Sequence, residues 1–403
     1  MKRAANRPAA APAIETQATT REPLGMSPQR FLRDYWQKRP LLIRGMFADG
    51  VAALTPEDLA GLACEDAAIS RIVVRDTKRE RWTLRNGPFG ERDFARLGRR
   101  NWSLLVQDVD KWDMDVAALL ERFRFIPSWR IDDIMVSYAT DGGGVGPHVD
   151  QYDVFLIQGI GYRNWKIDAR PDAPQAFRDD SELKLLREFA PSHEWLLDPG
   201  DVLYLPPGVP HDGVAFGECT TYSVGMRAPS RAELLFDFAE FLAEPLSENQ
   251  RYIDPDLAPA RASGEIDEAA LARVRKALPH FSNVDKSTFS TWFGRFITRY
   301  RSAQVIAAPG REIGLAALHK RLPASTVLRN PFSRIAWRSD GRTAELFVAG
   351  DAWSCPRALA QCLAAQREID GSELAGLMTT TSARETLKAL LDAGHLQLRP
   401  RRR

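Results

Sequence analysis

Short apolar runs broken by glycine and proline fill the chain between residues 131 and 227. The breaks are Gly142-Gly143-Gly144, Gly159-Ile160-Gly161, Asp198-Pro199-Gly200-Asp201 and Pro206-Pro207-Gly208. Repeated short strands with this punctuation predict a β-sandwich or barrel. Ahead of it, Ser27 and Pro28 form an N-cap with proline at the first helical position, and Phe31, Leu32, Tyr35 and Trp36 then supply one apolar face. Pro40 ends that helix, and Leu41-Leu42-Ile43 is expected as a short buried strand. A second helix starts at Thr55-Pro56-Glu57-Asp58, and strands are expected at 72–75, 81–84 and 103–106.

From Ser230 the period changes to that of a helix. Ser230 and Glu233 make a capping box, and Leu234, Leu235, Phe238, Phe241 and Leu242 recur at helical spacing. Further helices are predicted at 269–277 and 288–301, the second with a wide stripe that includes Phe289, Trp292, Phe293, Phe296 and Tyr300. That stripe reads either as intramolecular core or as a dimer surface. After Arg311 come a short helix, strands at 334–337 and 344–348 around Ser339-Asp340-Gly341, and helices at 356–367 and 383–391, the mixture of a winged-helix-like unit. The expected organisation is an α+β chain. A flexible tail covers 1–24, alanine- and proline-rich without periodicity. A barrel domain follows at 25–229, a helical segment at 230–305 and a winged-helix-like domain at 306–403.

Composition narrows the class. Of 403 residues, 44% are hydrophobic and 27% charged, as in soluble globular proteins, and no apolar run reaches the roughly 18 residues that span a bilayer. The start lacks the apolar core of a secretory signal, and Cys64, Cys219, Cys355 and Cys362 form no C-x-x-C pair. A reducing cytoplasm is expected. The net charge of +2 divides unevenly: residues 1–24 carry +2 and the arginines at 399 and 401–403 carry +4, leaving −4 for the body. A body of that sign suits a basic partner, and direct nucleic-acid binding is not expected from it.

The sharpest constellation is Pro147-His148-Val149-Asp150, followed by Leu205-Pro206-Pro207-Gly208-Val209-Pro210-His211. On a strand, His148 and Asp150 project to one face, where a distant strand can bring His211. Two histidines and a carboxylate are the ligand set of a non-haem Fe(II) site with open positions. The second block carries a cupin-type spacing of glycine, proline, glycine and histidine, whereas Asp150 stands where many cupins have a second histidine. His193 is the competing third ligand and reads as a loop or surface residue. His280, His319 and His395 have no paired ligand, and Cys219 reads as a small buried hydrophobe. Three open positions commonly take 2-oxoglutarate and oxygen. Arg163 offers a fork for the far carboxylate and Ser137 a second donor, the alternatives being a surface arginine and a barrel-lining serine. The stretch 155–165 is expected to form a hairpin returning across the triad strand.

Three stretches resemble the bacterial ribosomal oxygenases of the JmjC (cupin-4) group: 147–159, 198–208, and Tyr222-Ser223-Val224-Gly225-Met226-Arg227. The likeness runs from about Gly25, through Trp36-Gln37-Lys38-Arg39-Pro40, past Tyr252-Ile253-Asp254-Pro255, and thins after about residue 305. It implies a double-stranded β-helix, a helical dimerisation segment giving a homodimer, and a winged helix. Iron ligands His148, Asp150 and His211 are implied, with Arg163 and Ser137 at the 2-oxoglutarate end. The implied activity is Fe(II)-, 2-oxoglutarate- and oxygen-dependent hydroxylation of an arginine in the sixteenth large-subunit ribosomal protein. Related histidine hydroxylases tend to have lysine where this chain has Arg163. Histidine hydroxylation, N-methyl demethylation and a non-catalytic winged-helix interaction protein are the alternatives. Asp132, Asp133, Asp141 and Asp153 are candidates for receiving the substrate guanidinium.

Overall fold

The computed structural model of the chain describes residues 13–52, 54–259, 266–278, 284–300, 306–310 and 312–401. Most of the alanine- and proline-rich start, His280 and the last two arginines lie outside them. By its contacts the chain divides into two compact units, Met1–Ala228 and Pro229–Arg403.

Among the described residues, the first unit carries twelve strands. They are β1 (Glu15–Gln17), β2 (Leu41–Arg44), β3 (Ser70–Asp76), β4 (Arg81–Asn86), β5 (Trp102–Val106) and β6 (Ile131–Ala139). Then come β7 (Val154–Gln158), β8 (Tyr162–Ile167), β9 (His193–Leu197), β10 (Val202–Leu205), β11 (His211–Phe216) and β12 (Cys219–Met226). Nine form one sheet in the order β1-β2-β10-β7-β12-β6-β5-β3-β4, and three form a second in the order β11-β8-β9. Five short helices accompany them: α1 (Pro28–Asp34), α2 (Pro56–Leu62), α3 (Glu91–Ala95), α4 (Val109–Trp112) and α5 (Met114–Ala118).

Alternation along each strand assigns its side chains to two cores. Phe155 and Ile157 of β7 join Phe31, Leu59, Val109 and Val116 of the helices in one cluster. The intervening Val154 and Leu156 meet Trp165, Ile167 and Leu197 of the small sheet in another. The large sheet is thus buried on one face by helices and on the other by the small sheet, the double-stranded β-helix layout. The caps at its rim are those read from sequence. Ser27 accepts from the Arg30 N–H, and Thr55 and Asp58 close a capping box.

Two expectations change here. Residues 13–24 are not tail: β1 pairs in parallel with β2, and Leu24 is buried. Three residues show no periodicity to read; β2 supplies the partner. Nor do β7 and β8 form a hairpin. β7 lies between β10 and β12, while the chain crosses at Gly159–Gly161 to put β8 between β11 and β9 in the other sheet.

In the second unit, helices α6 (Arg231–Ala243), α7 (Glu268–Ala277) and α8 (Lys286–Thr298) come first. The aromatic stripe of α8 is largely core: Trp292, Phe296 and Ile297 pack with Phe238 of α6. Six strands follow, β13 (Ser325–Arg329), β14 (Ile335–Asp340), β15 (Thr343–Val348), β16 (Asp351–Pro356), β17 (Glu368–Asp370) and β18 (Leu396–Pro400), in sheets β17-β13-β18 and β14-β15-β16. Helices α9 (Leu315–Arg321), α10 (Arg357–Ala365), α11 (Gly371–Leu377) and α12 (Thr381–Asp392) accompany them. The helical and C-terminal segments, expected as separate domains, fall in one compact unit, because α8 packs against β14 and β15. Among the described residues, no helix is long and apolar enough to cross a membrane.

Candidate active site

His148 and Asp150 stand on an extended segment, not on a strand as expected. That segment is held to β11 by a reciprocal pair of backbone hydrogen bonds, His148 N–H to His211 O at 3.0 Å and His211 N–H to His148 O at 2.9 Å. Direct pairing replaces the strand and sets the two imidazoles side by side, their centroids 4.2 Å apart. Gly146, with φ +84, makes the entry to this segment; a Cβ there would lie 2.9 Å from Trp82 and Leu185. Donor atoms of His148, Asp150 and His211 all lie within 4.8 Å of one another. The Asp150 carboxylate is 3.7 Å from His211 Nε2.

The ring nitrogens show whether this set fits a metal. His148 Nδ1 lies 2.9 Å from the Gly146 carbonyl, and His211 Nδ1 lies 2.9 Å from that of Val209. With Nδ1–H donating in each ring, Nε2 carries the free lone pair in both, the tautomer a metal ligand requires. Burial, and then His148 beside it, lowers the His211 pKa to about 4, so His211 is neutral at physiological pH. Two imidazoles that turn Nε2 to the site and one carboxylate suit a divalent first-row ion.

Behind the triad, Arg163 on β8 is buried at 5% exposure. Its Nη1 donates to Ser137 Oγ at 3.2 Å and Thr221 Oγ1 at 3.0 Å, and its Nε has no partner. It makes no ion pair among the described residues. A buried guanidinium held by two hydroxyls and lacking a counter-ion suits a carboxylate ligand. Neighbouring β-pairs build the pocket: Thr221 is opposite Ser137 across β12 and β6, and Ala215 is opposite Arg163 across β11 and β8. Thr221 was missed from sequence because only that register puts it beside Ser137. Gly213 faces Trp165, and a Cβ there would be 2.7 Å from the indole.

The candidate acids separate. Asp153 is fully buried and engaged: Tyr204 Oη donates to it at 2.6 Å, Gln37 Nε2 at 2.9 Å, and Arg130 Nη2 lies at 3.4 Å. It ties the segment after Asp150 to the turn beyond α1 and has no capacity left for a substrate. Asp141 is likewise taken by Arg100 and the Gly217 N–H. Asp132 lies 4.0 Å from Arg227. Asp133 accepts from the Asp108 N–H and lies near Tyr152, whose phenol is pushed up by burial, then by Asp150 and Asp133. Asp133, too, is buried. Asp153→Ala is expected to cost about 3–5 kcal/mol by leaving Arg130 and Tyr204 without their acceptor. Denaturant unfolding checks this, and an unchanged midpoint would show the network to be dispensable.

His193, read as a loop or surface residue, is half-buried at the start of β9, and its Nδ1 meets Ser192 Oγ. His319 is exposed on α9, and His395 is buried against Ser333 and Trp353. None joins the cluster. Cys219 is buried at 1% exposure.

Residues 118–234 match the family described as JmjC domain, and residues 279–397 the one described as ROXA-like winged helix. The chain is 39% identical over 279 residues to "Ribosomal protein uL16 3-hydroxylase" of Escherichia coli K12, covering 69% of this chain and 73% of that protein. It is 37% identical over 236 residues to a "Probable ribosomal oxygenase" of Haemophilus influenzae, covering 58% of this chain and 56% of that one. Among solved structures it matches YcfD, a ribosomal oxygenase from E. coli in complex with cobalt and 2-oxoglutarate. That match has a TM-score of 0.78 and 33% identity, covering 93% of this chain and 99% of the other.

Proposed function

This chain belongs to the JmjC ribosomal oxygenases, Fe(II)- and 2-oxoglutarate-dependent dioxygenases, and from that premise we propose that it hydroxylates an arginine side chain of the large-subunit ribosomal protein uL16. The observation that carries the reading is the presence, in one barrel, of a compact His-Asp-His set and a buried arginine that makes no ion pair among the described residues.

His148, Asp150 and His211 would hold the iron, the Gly146 and Val209 carbonyls fixing both rings with Nε2 toward it. Iron bound there, with 2-oxoglutarate and oxygen, supplies the oxidising chemistry that puts a hydroxyl on a substrate carbon. Arg163 pairs with the far carboxylate of 2-oxoglutarate, and the Ser137 and Thr221 hydroxyls orient the guanidinium. Trp165 and Leu156, in the wall between the sheets, exclude water from that end. Arginine is favoured over histidine as target because Arg163 stands where the related histidine hydroxylases tend to have lysine; uL16 as the protein that carries it follows the 39%-identical relative's name. A ribosomal-protein substrate fits a cytoplasmic enzyme.

The test is cosubstrate turnover. Fe(II)-loaded protein should release succinate from 2-oxoglutarate faster when arginine-containing uL16 peptides are added. Equal release with and without peptide, or stimulation only by histidine-containing peptides, would exclude the arginine reading.

The domain roles follow the same family. The unit that ends at Ala228 would be catalytic, and the second, Pro229–Arg403, would carry the dimerisation helices and the winged helix matched at 279–397. With the α8 stripe largely buried, the dimer surface lies on exposed apolar positions, Leu235 and Phe236 of α6 and Leu271 and Val274 of α7. Phe236 is 74% exposed, and such apolar patches mark association surfaces. In sedimentation the protein is expected at twice its 45.2 kDa chain mass, and Phe236→Glu at the single mass. A wild-type monomer at micromolar concentration would refute the dimer.

A further inference from the structure

We propose that the outer edge of the large sheet is an RNA-binding surface built from residues 71–100. Those 30 residues hold ten basic and four acidic side chains, a net of +6, which leaves −10 for the rest of the body between the termini. The negative body average therefore conceals a second segregation of charge, this time within the folded domain.

The segment comprises β3, the turn into β4, β4 itself and α3, and β4 is the sheet's edge strand. Register assigns its faces. Arg75 lies opposite Trp82 on the barrel side, whereas Asp76 with Arg81, and Ile72 with Arg85, face the other way. Arg85 reaches Asp93 of α3 on that helix-covered side. The chain then returns, and the Arg75 N–H bonds the Asn101 carbonyl at 2.8 Å. Lys78, Arg79 and Arg81 of the hairpin and Arg99 and Arg100 beyond α3 thus converge on one end of the edge.

Part of this charge is neutralised. Arg85 pairs with Asp93, Arg100 with Asp141, and Arg79 lies 3.7 Å from Asp76. Exposed Glu80 and Glu91 lie within the segment, and Asp180, held by Arg178, lies near Arg81. Lys78, Arg81, Arg92, Arg96 and Arg99 are exposed and make no ion pair among the described residues. A strand edge lined with cations resists pairing with another strand, so what it presents is an ionic surface. Nine of the ten cations are arginine, whose planar fork matches phosphate oxygens. RNA, and not an acidic protein, is the favoured occupant because a ribosomal protein is met in the company of its RNA. That choice rests on the substrate assigned above.

The probe is a fluorescein-labelled RNA hairpin, titrated with the full-length protein between about 50 and 200 mM salt. Wild type should bind with a log–log salt slope of about −2 to −4, from three to five phosphate contacts. The triple variant Arg81→Glu, Arg96→Glu, Arg99→Glu should bind at least about tenfold more weakly with a shallower slope. It should turn over free uL16 peptide as wild type does and melt at the same temperature. Absence of RNA binding by wild type at low salt, or equal binding by the variant, would overturn the inference. So would competition by polyglutamate as effective as by unlabelled RNA, which would assign the surface to an acidic protein. Peptide turnover is read separately, so losing this surface leaves the enzyme reading intact, and failure of wild-type peptide turnover tests that reading instead.

Discussion

His148→Ala is expected to abolish peptide hydroxylation while leaving the fold intact. His148 is half-buried on an extended segment, and its backbone pairing with His211 does not depend on the imidazole. The loss in turnover should well exceed the roughly 100-fold that removal of an outer-shell partner costs a metal site, because a donor atom itself is gone. Isothermal titration with Fe(II) or Co(II) under anaerobic conditions should show the same collapse, and thermal melting should move little. The same holds for Asp150→Ala, with one distinction. Asp150 supplies the site's negative charge, so its loss should weaken divalent ions of every kind. Retained hydroxylation in either variant would remove the triad from the chemistry.

Arg163→Ala should raise the KM for 2-oxoglutarate by roughly 30- to 4,000-fold, the equivalent of about 2–5 kcal/mol for a buried charge pair broken on one side. The more diagnostic result concerns stability. In the cosubstrate-free protein this guanidinium is buried with hydrogen bonds to Ser137 and Thr221, the Trp165 ring 5.5 Å away and an orphaned Nε, so it is a cost that folding carries for binding. Removing it should leave the melting temperature of the free protein unchanged or higher and abolish the stabilisation that saturating 2-oxoglutarate gives wild type. Arg163→Lys should retain part of the affinity, since the charge survives and the fork does not. A variant that melts earlier but keeps its KM would make Arg163 a structural residue.

What could be read from the chain follows the range of the interactions involved. Capping at Ser27, Thr55 and Ser230 is written within three or four residues and was legible, as were the glycine and proline turns that frame His148 and His211. Residue type and spacing also pointed to Arg163 and Ser137. Pairing partners were not legible. The β7–β8 connection looks local and is in fact a crossing between sheets, a choice made by β10, β11 and β12 far along the chain. Thr221 was hidden for the same reason, since only the β6–β12 register places it beside Ser137. Asp153 stood among the candidates for the substrate guanidinium because Tyr204, Gln37 and Arg130, its partners, are scattered through the sequence. The three-residue β1 carries no periodic signal at all.

The most direct measurement is the mass of a uL16 peptide incubated with the Fe(II)-loaded protein, 2-oxoglutarate and heavy-isotope oxygen gas, followed by fragmentation. The expected result is the gain of one heavy oxygen atom, localised to an arginine side chain and dependent on both 2-oxoglutarate and His148. An unmodified peptide, an oxygen on a histidine, or a gain that persists in His148→Ala would contradict arginine hydroxylation at this triad.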